Sequence, residues 1–306
     1  MATGARAKKI KLRPYLRTLF ICLVALLIAC VWALDHFVIN SPGAVWNGML
    51  SNSLKTTSFT DKISENQTYE ISTQYVTLET GGNNLAAATT ILDDNGSRDG
   101  VPLYEKTQSI GTTSADYARY VDVYTSTKKS NGKLYNFKSI LGVWGVDVPG
   151  SSGSNSGELF NEAVLQRVIP IAYLPAGSRS SLLKFIKTNN VYNVSKAIKR
   201  QNSGGREQYV YSVSLSINGY REMMFDLCQD VGLSCNINPY LGNVDATSVP
   251  DFKATVDVLS RQLVGIKFDG SSLTETYSAY GARIPIKVPS KYIPITQLEA
   301  NLESAQ

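Results

Sequence analysis

Apolar positions along this chain recur at one period, then another, and each change predicts an element. From Thr18 to Leu34 the run TLFICLVALLIACVWAL carries no charge, and it resumes briefly as Phe37-Val38-Ile39. Over Ala44 to Lys55, Val45, Met49, Leu50 and Leu54 recur near helical spacing after Ser41-Pro42-Gly43, which predicts a short helix. The period then falls to two. Thr68 to Leu78 alternates Tyr69, Ile71, Thr73, Tyr75 and Thr77 against Glu70, Ser72, Gln74 and Val76, a strand. Asp93-Asp94-Asn95-Gly96 reads as a turn, and Ala115 to Thr127 as a second strand. An Asn-Gly turn within Lys128 to Gly132 leads into a third, Leu134 to Val148, so the first half is strand-dominated.

Pro149 to Gly157, PGSSGSNSG, has nothing to bury and reads as a flexible loop. Helical spacing returns with Leu159, Phe160, Ala163, Val164 and Val168 before Pro170. A second helix over 178–189 carries Leu182, Leu183 and Ile186, with Ser178 or Ser180 as its cap. Val191 to Lys199 and Gln208 to Ile217 flank a turn sequence at 201–205, a hairpin. Asn218 to Val231 reads as a helix burying Met223, Met224, Leu227 and Val231. Phe252 to Val258 and Gln262 to Phe268 form a hairpin about Leu259-Ser260-Arg261, followed by strands at Thr274 to Tyr280 and Ile284 to Val288. A short amphipathic helix over Pro294 to Leu302, with Ile295, Leu298 and Leu302, closes the chain.

Charge gives the first segment a direction. Arg6, Lys8, Lys9, Lys11, Arg13 and Arg17 precede the apolar run, and no acidic residue does. The 17 uncharged residues, at about 1.5 Å each, approach a hydrocarbon thickness of about 30 Å with help from their flanks. Tyr15 and Trp32 stand near the two ends, where amphipathic rings meet headgroups. The expectation is therefore a cytoplasmic basic tail over 1–17, a single-pass transmembrane signal-anchor over 18–39 with its N-terminus inside, and an extracytoplasmic domain over 40–306 containing the loop at 149–157. Two other fates stay open for the same segment. It could be cleaved as a signal peptide, or Cys30 could be lipidated, since Leu27-Ile28-Ala29-Cys30 resembles the bacterial lipobox. All three place the rest of the chain outside the cytoplasm.

Without the six tail cations, the 30 Lys and Arg fall to 24 against 25 Asp and Glu. The exterior part is nearly neutral, and no basic patch interleaved with aromatics argues for nucleic acid. Of four cysteines, Cys22 and Cys30 lie in the apolar run, leaving Cys228 and Cys235 as the exterior pair, a candidate disulfide with two reduced thiols as the alternative. The single histidine, His36, precludes His-based triads and multi-His zinc sites. Ser181-Leu182-Leu183-Lys184 and Ser126-Thr127-Lys128-Lys129 match Ser-x-x-Lys without the companion motifs of penicillin-recognising enzymes. Asp93 to Asp99 gathers oxygen ligands but lacks the spacing of a calcium loop. No catalytic residue, metal or cofactor is expected, although paired carboxylates in a polar cleft would reopen the enzyme reading.

Tyr277, Tyr280, Gly281, Ile286, Val288 and Pro289 form a Tyr-x-x-Tyr-Gly segment and an Ile-x-Val-Pro exit after consecutive strands. In these residues, and in the helix followed by KTTSFT near Leu50 to Phe59, the chain resembles bacterial envelope proteins of the LolA/LppX type. The resemblance covers about a third of the chain. It implies an α+β fold with a strongly curved antiparallel sheet, an incomplete β-barrel, and helices on its concave face around an apolar cavity. The function that it implies is non-catalytic binding of a hydrophobic ligand or lipid in the cell envelope. The alternative is a cell-surface interaction or structural module of an envelope assembly.

Overall fold

The computed structural model describes residues 20–21, 23–30, 39–68, 70–82, 84–95, 102–129, 131–148, 158–202, 204–233, 235 and 250–305. The chain divides into two compact units, Met1–Val45 and Trp46–Gln306. In the first, residues 20–21 and 23–30 are helical. At Ser41 the hydroxyl accepts from the Ala44 amide (3.4 Å) and the carbonyl from the Val45 amide (2.9 Å), which starts helix α1, Pro42–Ser53.

Among the described residues twelve strands make one sheet. They are β1 Ser58–Asn66, β2 Glu70–Glu79, β3 Leu85–Asn95, β4 Pro102–Gly111, β5 Asp116–Tyr124, β6 Gly145–Asp147, β7 Tyr192–Gln201, β8 Glu207–Leu215, β9 Phe252–Asp257, β10 Leu263–Phe268, β11 Thr274–Ser278 and β12 Ile293–Pro294. Their order is β12-β6-β5-β4-β3-β2-β1-β11-β10-β9-β8-β7. Two meanders thus meet where β1 pairs with β11, Asp61 opposite Tyr277 and Ile63 opposite Glu275. All pairs are antiparallel except β12 with β6.

Period-two alternation sends Phe59, Val76, Leu78, Ala86, Ala88, Phe252, Ala254 and Ile266 to one face, where all are buried. The helices α1, α2 Glu158–Leu165, α3 Ala176–Thr188 and α4 Ile217–Val231 supply further buried apolar residues. Trp46 packs on Tyr211 and Tyr192, with ring centroids 5.1 and 5.8 Å apart. α2 lies over β2, β3 and β4. It comes so close that a Cβ on Gly111 would stand 2.8 Å from the Phe160 backbone nitrogen. A smaller core forms where Phe137, Ile140 and Leu298 of α5, Ile295–Ala305, pack with Tyr120, Val143 and Leu302.

Several expectations are corrected. Among the described residues no helix is long and apolar enough to cross a membrane. The transmembrane anchor over 18–39, and with it the expected fold of anchor plus incomplete barrel, therefore gives way to a β-rich open sheet whose edges are β7 and β12. Residues 1–17, 149–157 and His36 lie outside the described residues. Asp93 and Asp94 are not a turn: they continue β3, paired with Tyr104 and Leu103. Leu134 to Trp144 forms no ladder of its own, because its apolar residues turn into the smaller core. No strand forms over 284–288. α3 starts on Pro175 with no side-chain cap, and Ser178 instead donates to Asp230 (2.9 Å).

Candidate functional site

Beneath α2 the inward row of the sheet becomes charged. Asp61 sits between Phe59 and Ile63 on β1, and Glu275 stands two residues before Tyr277 on β11, all five on the helix-covered face. Leu159, Glu162, Ala163, Gln166 and Arg167 follow helical spacing, so α2 and the turn after it present one face back to these strands. Asp116 of β5 fixes the start of that helix, its Oδ2 accepting from the Glu158 amide (2.9 Å) and the Leu159 amide (3.4 Å). Beyond the helix, Tyr220 donates to the Arg167 carbonyl and Tyr192 to the Val168 carbonyl, each at 2.8 Å.

Arg167 is the hub. Its Nη1 makes a buried ion pair with Asp61, and its Nε donates to the Ala163 carbonyl at 2.9 Å. The guanidinium lies 4.9 Å from the Phe59 ring centroid and 5.7 Å from that of Tyr277, so two aromatic faces share its charge. The Tyr277 hydroxyl donates to Glu275. Side-chain exposure is 4% for Arg167 and 0% for Asp61, and Glu275 is 5% exposed. Two carboxyls therefore flank one guanidinium in a buried site, and charge balance needs only one of them ionised.

Burial acts first on every group here. It raises the pKa of Asp61 despite Arg167, and that of Glu275, where Arg167 opposes the rise and Asp61 adds to it. Glu162 is raised by burial and then by Glu158. For Arg167, burial disfavours the charge, but Asp61, Tyr277 and Glu275 prevail and hold its pKa above the usual value. Tyr277 and Tyr280 are both pushed up, chiefly by burial.

The cluster opens on a cleft of about 40 Å³ between α2 and the sheet. Its apolar walls are Ile63, Val76, Leu159 and Ala163; its polar walls are Gln74, Glu162, Gln166 and Glu275, with Arg167 at the end. That volume suits a water or two rather than a substrate. A second, more polar cleft of about 250 Å³ lies between Asn52, Lys55, Thr56, Gln262 and Tyr280.

The residues singled out from sequence fall elsewhere. Cys228 and Cys235 form a disulfide at the end of α4, Cα atoms 5.7 Å apart. Cys30 is exposed and unpaired with another cysteine. Ser181 and Lys184 lie along α3, and Ser126 to Lys129 follow β5. Among the described residues no group of three or more His, Cys, Asp or Glu side chains could hold a metal. Glu162 and Glu275 do converge on one cleft, the arrangement that reopens the enzyme reading. A signal for the site was present in sequence: Asp61, Glu275 and Arg167 are charges standing in the apolar phase of their elements.

No family model matches the chain, and no curated protein matches it. Among solved structures, that of LprF from Mycobacterium bovis is similar over 82% of this chain and 99% of its own, at 14% identity and a TM-score of 0.42. A β-barrel-like protein of a domain of unknown function from Brucella abortus is similar over 73% and 95%, at 4% identity and a TM-score of 0.26.

Proposed function

We propose that this chain is a non-catalytic binding protein for an apolar or amphiphilic ligand, working outside the cytoplasm. The observation that carries the reading is incomplete cover. α2 closes over the Gly111 and Ala86 ends of β4 and β3, while the inward-facing Leu92 and Leu103 at the other ends stay half-buried, as does Ile63 at the cleft. Leu92 lies six residues from Ala86, about 20 Å along the strand. An amphiphile lying along that row would meet Ala88 and Leu92 alternating with Thr90, with Glu105 opposite Leu92 and the buried Asp94 opposite Leu103, and its polar end would meet Gln74, Gln166 and Glu275. Because the closed cleft has room only for water, uptake requires α2 to move from the sheet. The Cys228–Cys235 disulfide supports an oxidising compartment.

A non-catalytic role is favoured over a paired-acid enzyme because Glu275, one of the two acids on the cleft, is engaged by the Tyr277 hydroxyl. The test is organic extraction and mass spectrometry of the purified full chain, with uptake of a fluorescent long-chain fatty acid measured alongside. About one bound amphiphile per chain is expected. Absence of both co-purifying lipid and uptake would overturn the reading and favour a surface module using the exposed Ile71 and Tyr75 on the opposite sheet face.

A further inference from the structure

We propose that the buried Asp61, Arg167 and Glu275 cluster is a proton-operated latch, which fastens α2 to the β1/β11 seam while one carboxyl is protonated and releases it when that proton is lost. As the door to a ligand cleft the latch rests on the function proposed above; as a latch it stands on the geometry and burial of the cluster. Three features of the cluster carry it.

The first is stoichiometry. Two buried carboxyls face a single guanidinium. With both ionised, the site encloses a net negative charge in a medium that solvates it poorly. The second is position. Glu275 is itself a wall of the cleft under α2, so lifting the helix returns that carboxyl to water, where ionisation is cheap. The third is mechanical. Tyr220 and Tyr192 hold the carbonyls of Arg167 and Val168, which leaves α2 a fixed pivot at its C-terminal end, while Asp116 holds the opposite end by two amides.

Around the cluster, burial and the neighbouring acids raise the carboxyls, while Arg167, the Tyr277 hydroxyl on Glu275, the Thr276 backbone on Asp61 and Gln166 on Glu162 oppose the rise without overcoming it. β1 contributes Asp61, β11 contributes Glu275 and Tyr277, and Tyr280 follows β11. α2 contributes Glu158 and Glu162, β5 contributes Asp116, and Arg167 is the cation among them. Ionisation of Glu162 beside Glu158 and Asp116 adds repulsion just where the helix must leave. Burial raises the carboxyls of Asp61, Glu275 and Glu162, so the closed form holds protons more tightly than an open one. Rising pH therefore favours opening.

Hydrogen exchange on the full chain, stripped of ligand and corrected for intrinsic rates, tests this. Protection of amides 159–167 should fall about tenfold per pH unit across the interval between the carboxyl's open-state and closed-state pKa, while amides of β9 stay unchanged. Glu275→Gln should keep α2 protected at high pH. A flat wild-type profile, or a Glu275→Gln profile that falls as steeply as the wild type, overturns the latch. If that variant does not fold, the wild-type profile decides alone. Fatty-acid uptake at the same pH values separates the two proposals. Flat exchange with intact uptake removes the latch and leaves the ligand; pH-dependent exchange without uptake does the reverse.

Discussion

One sheet face is covered in two chemically different ways. Across β8, β9 and β10 the inward row is Tyr211, Val213, Phe252, Ala254, Val256 and Ile266, all buried. Trp46 and Tyr192 stack against that half, and the Tyr192 hydroxyl reaches the sulfur of Met223 at 3.7 Å. Across the β1/β11 seam the same row carries Asp61 and Glu275, answered by Arg167. The apolar half is held by area removed from water, which is indifferent to pH. The seam is held by a charge arrangement that is correct only at one proton count. Stability and responsiveness are thereby separated within a single sheet.

The largest effect should come from removing the hub. Arg167→Met keeps the length of the side chain and leaves two buried carboxyls without their cation, an expected loss of about 4 kcal/mol near neutral pH. Urea unfolding at about pH 8 and pH 5 would check it, with partial recovery at the lower pH because both carboxyls can then be neutral. Equal losses at both values would make the seam no different from the apolar half. On that half, Met223→Ala removes a fully buried side chain and should cost about 3 kcal/mol, the same at both pH values. A pH-dependent loss there would erase the contrast from the other side.

The two regions were not equally legible. The β7/β8 and β9/β10 hairpins and α4 follow from clean alternation, turn residues and helical spacing, and they form as expected. β3 did not show itself, because Leu85-Ala86-Ala87-Ala88-Thr89 has no large-and-polar rhythm. Ala86 and Ala88 lie on the face that α2 covers, with Ala86 opposite Gly111, so the small side chains that hid the strand are also what admits the helix. Asp93 and Asp94 read as a turn by residue type, yet ladder pairing with β4 overrides that preference. The charged site is harder still. Asp61 and Arg167 meet across 106 positions of sequence, a distance over which local patterning carries no information. Only the phase was informative, since a charge at an inward position of a strand demands a partner from somewhere.

Glu275→Gln makes the smallest change and tests the comparison most finely. Burial raises the Glu275 carboxyl in the folded chain, so between its unfolded and folded values the native state binds the extra proton. The stabilisation is complete below the unfolded value and is lost as pH rises through the folded one. Glutamine imitates the protonated form and still offers an oxygen to the Tyr277 hydroxyl, so the hydrogen bond survives while the ionisation does not. The variant should therefore approach wild type at low pH, where both carry a neutral group at this position, and exceed it at high pH, where wild type must hold a buried carboxylate. Denaturation midpoints across that range would show a falling line for wild type and a flatter one for the variant. Because Asp61 keeps its direct partner in Arg167, the same exchange at Asp61 removes an ion pair and should destabilise at both ends of the range. Opposite signs at two carboxyls of one cluster would locate the spare proton on Glu275, whereas an unchanged slope in Glu275→Gln would remove that residue from the contrast.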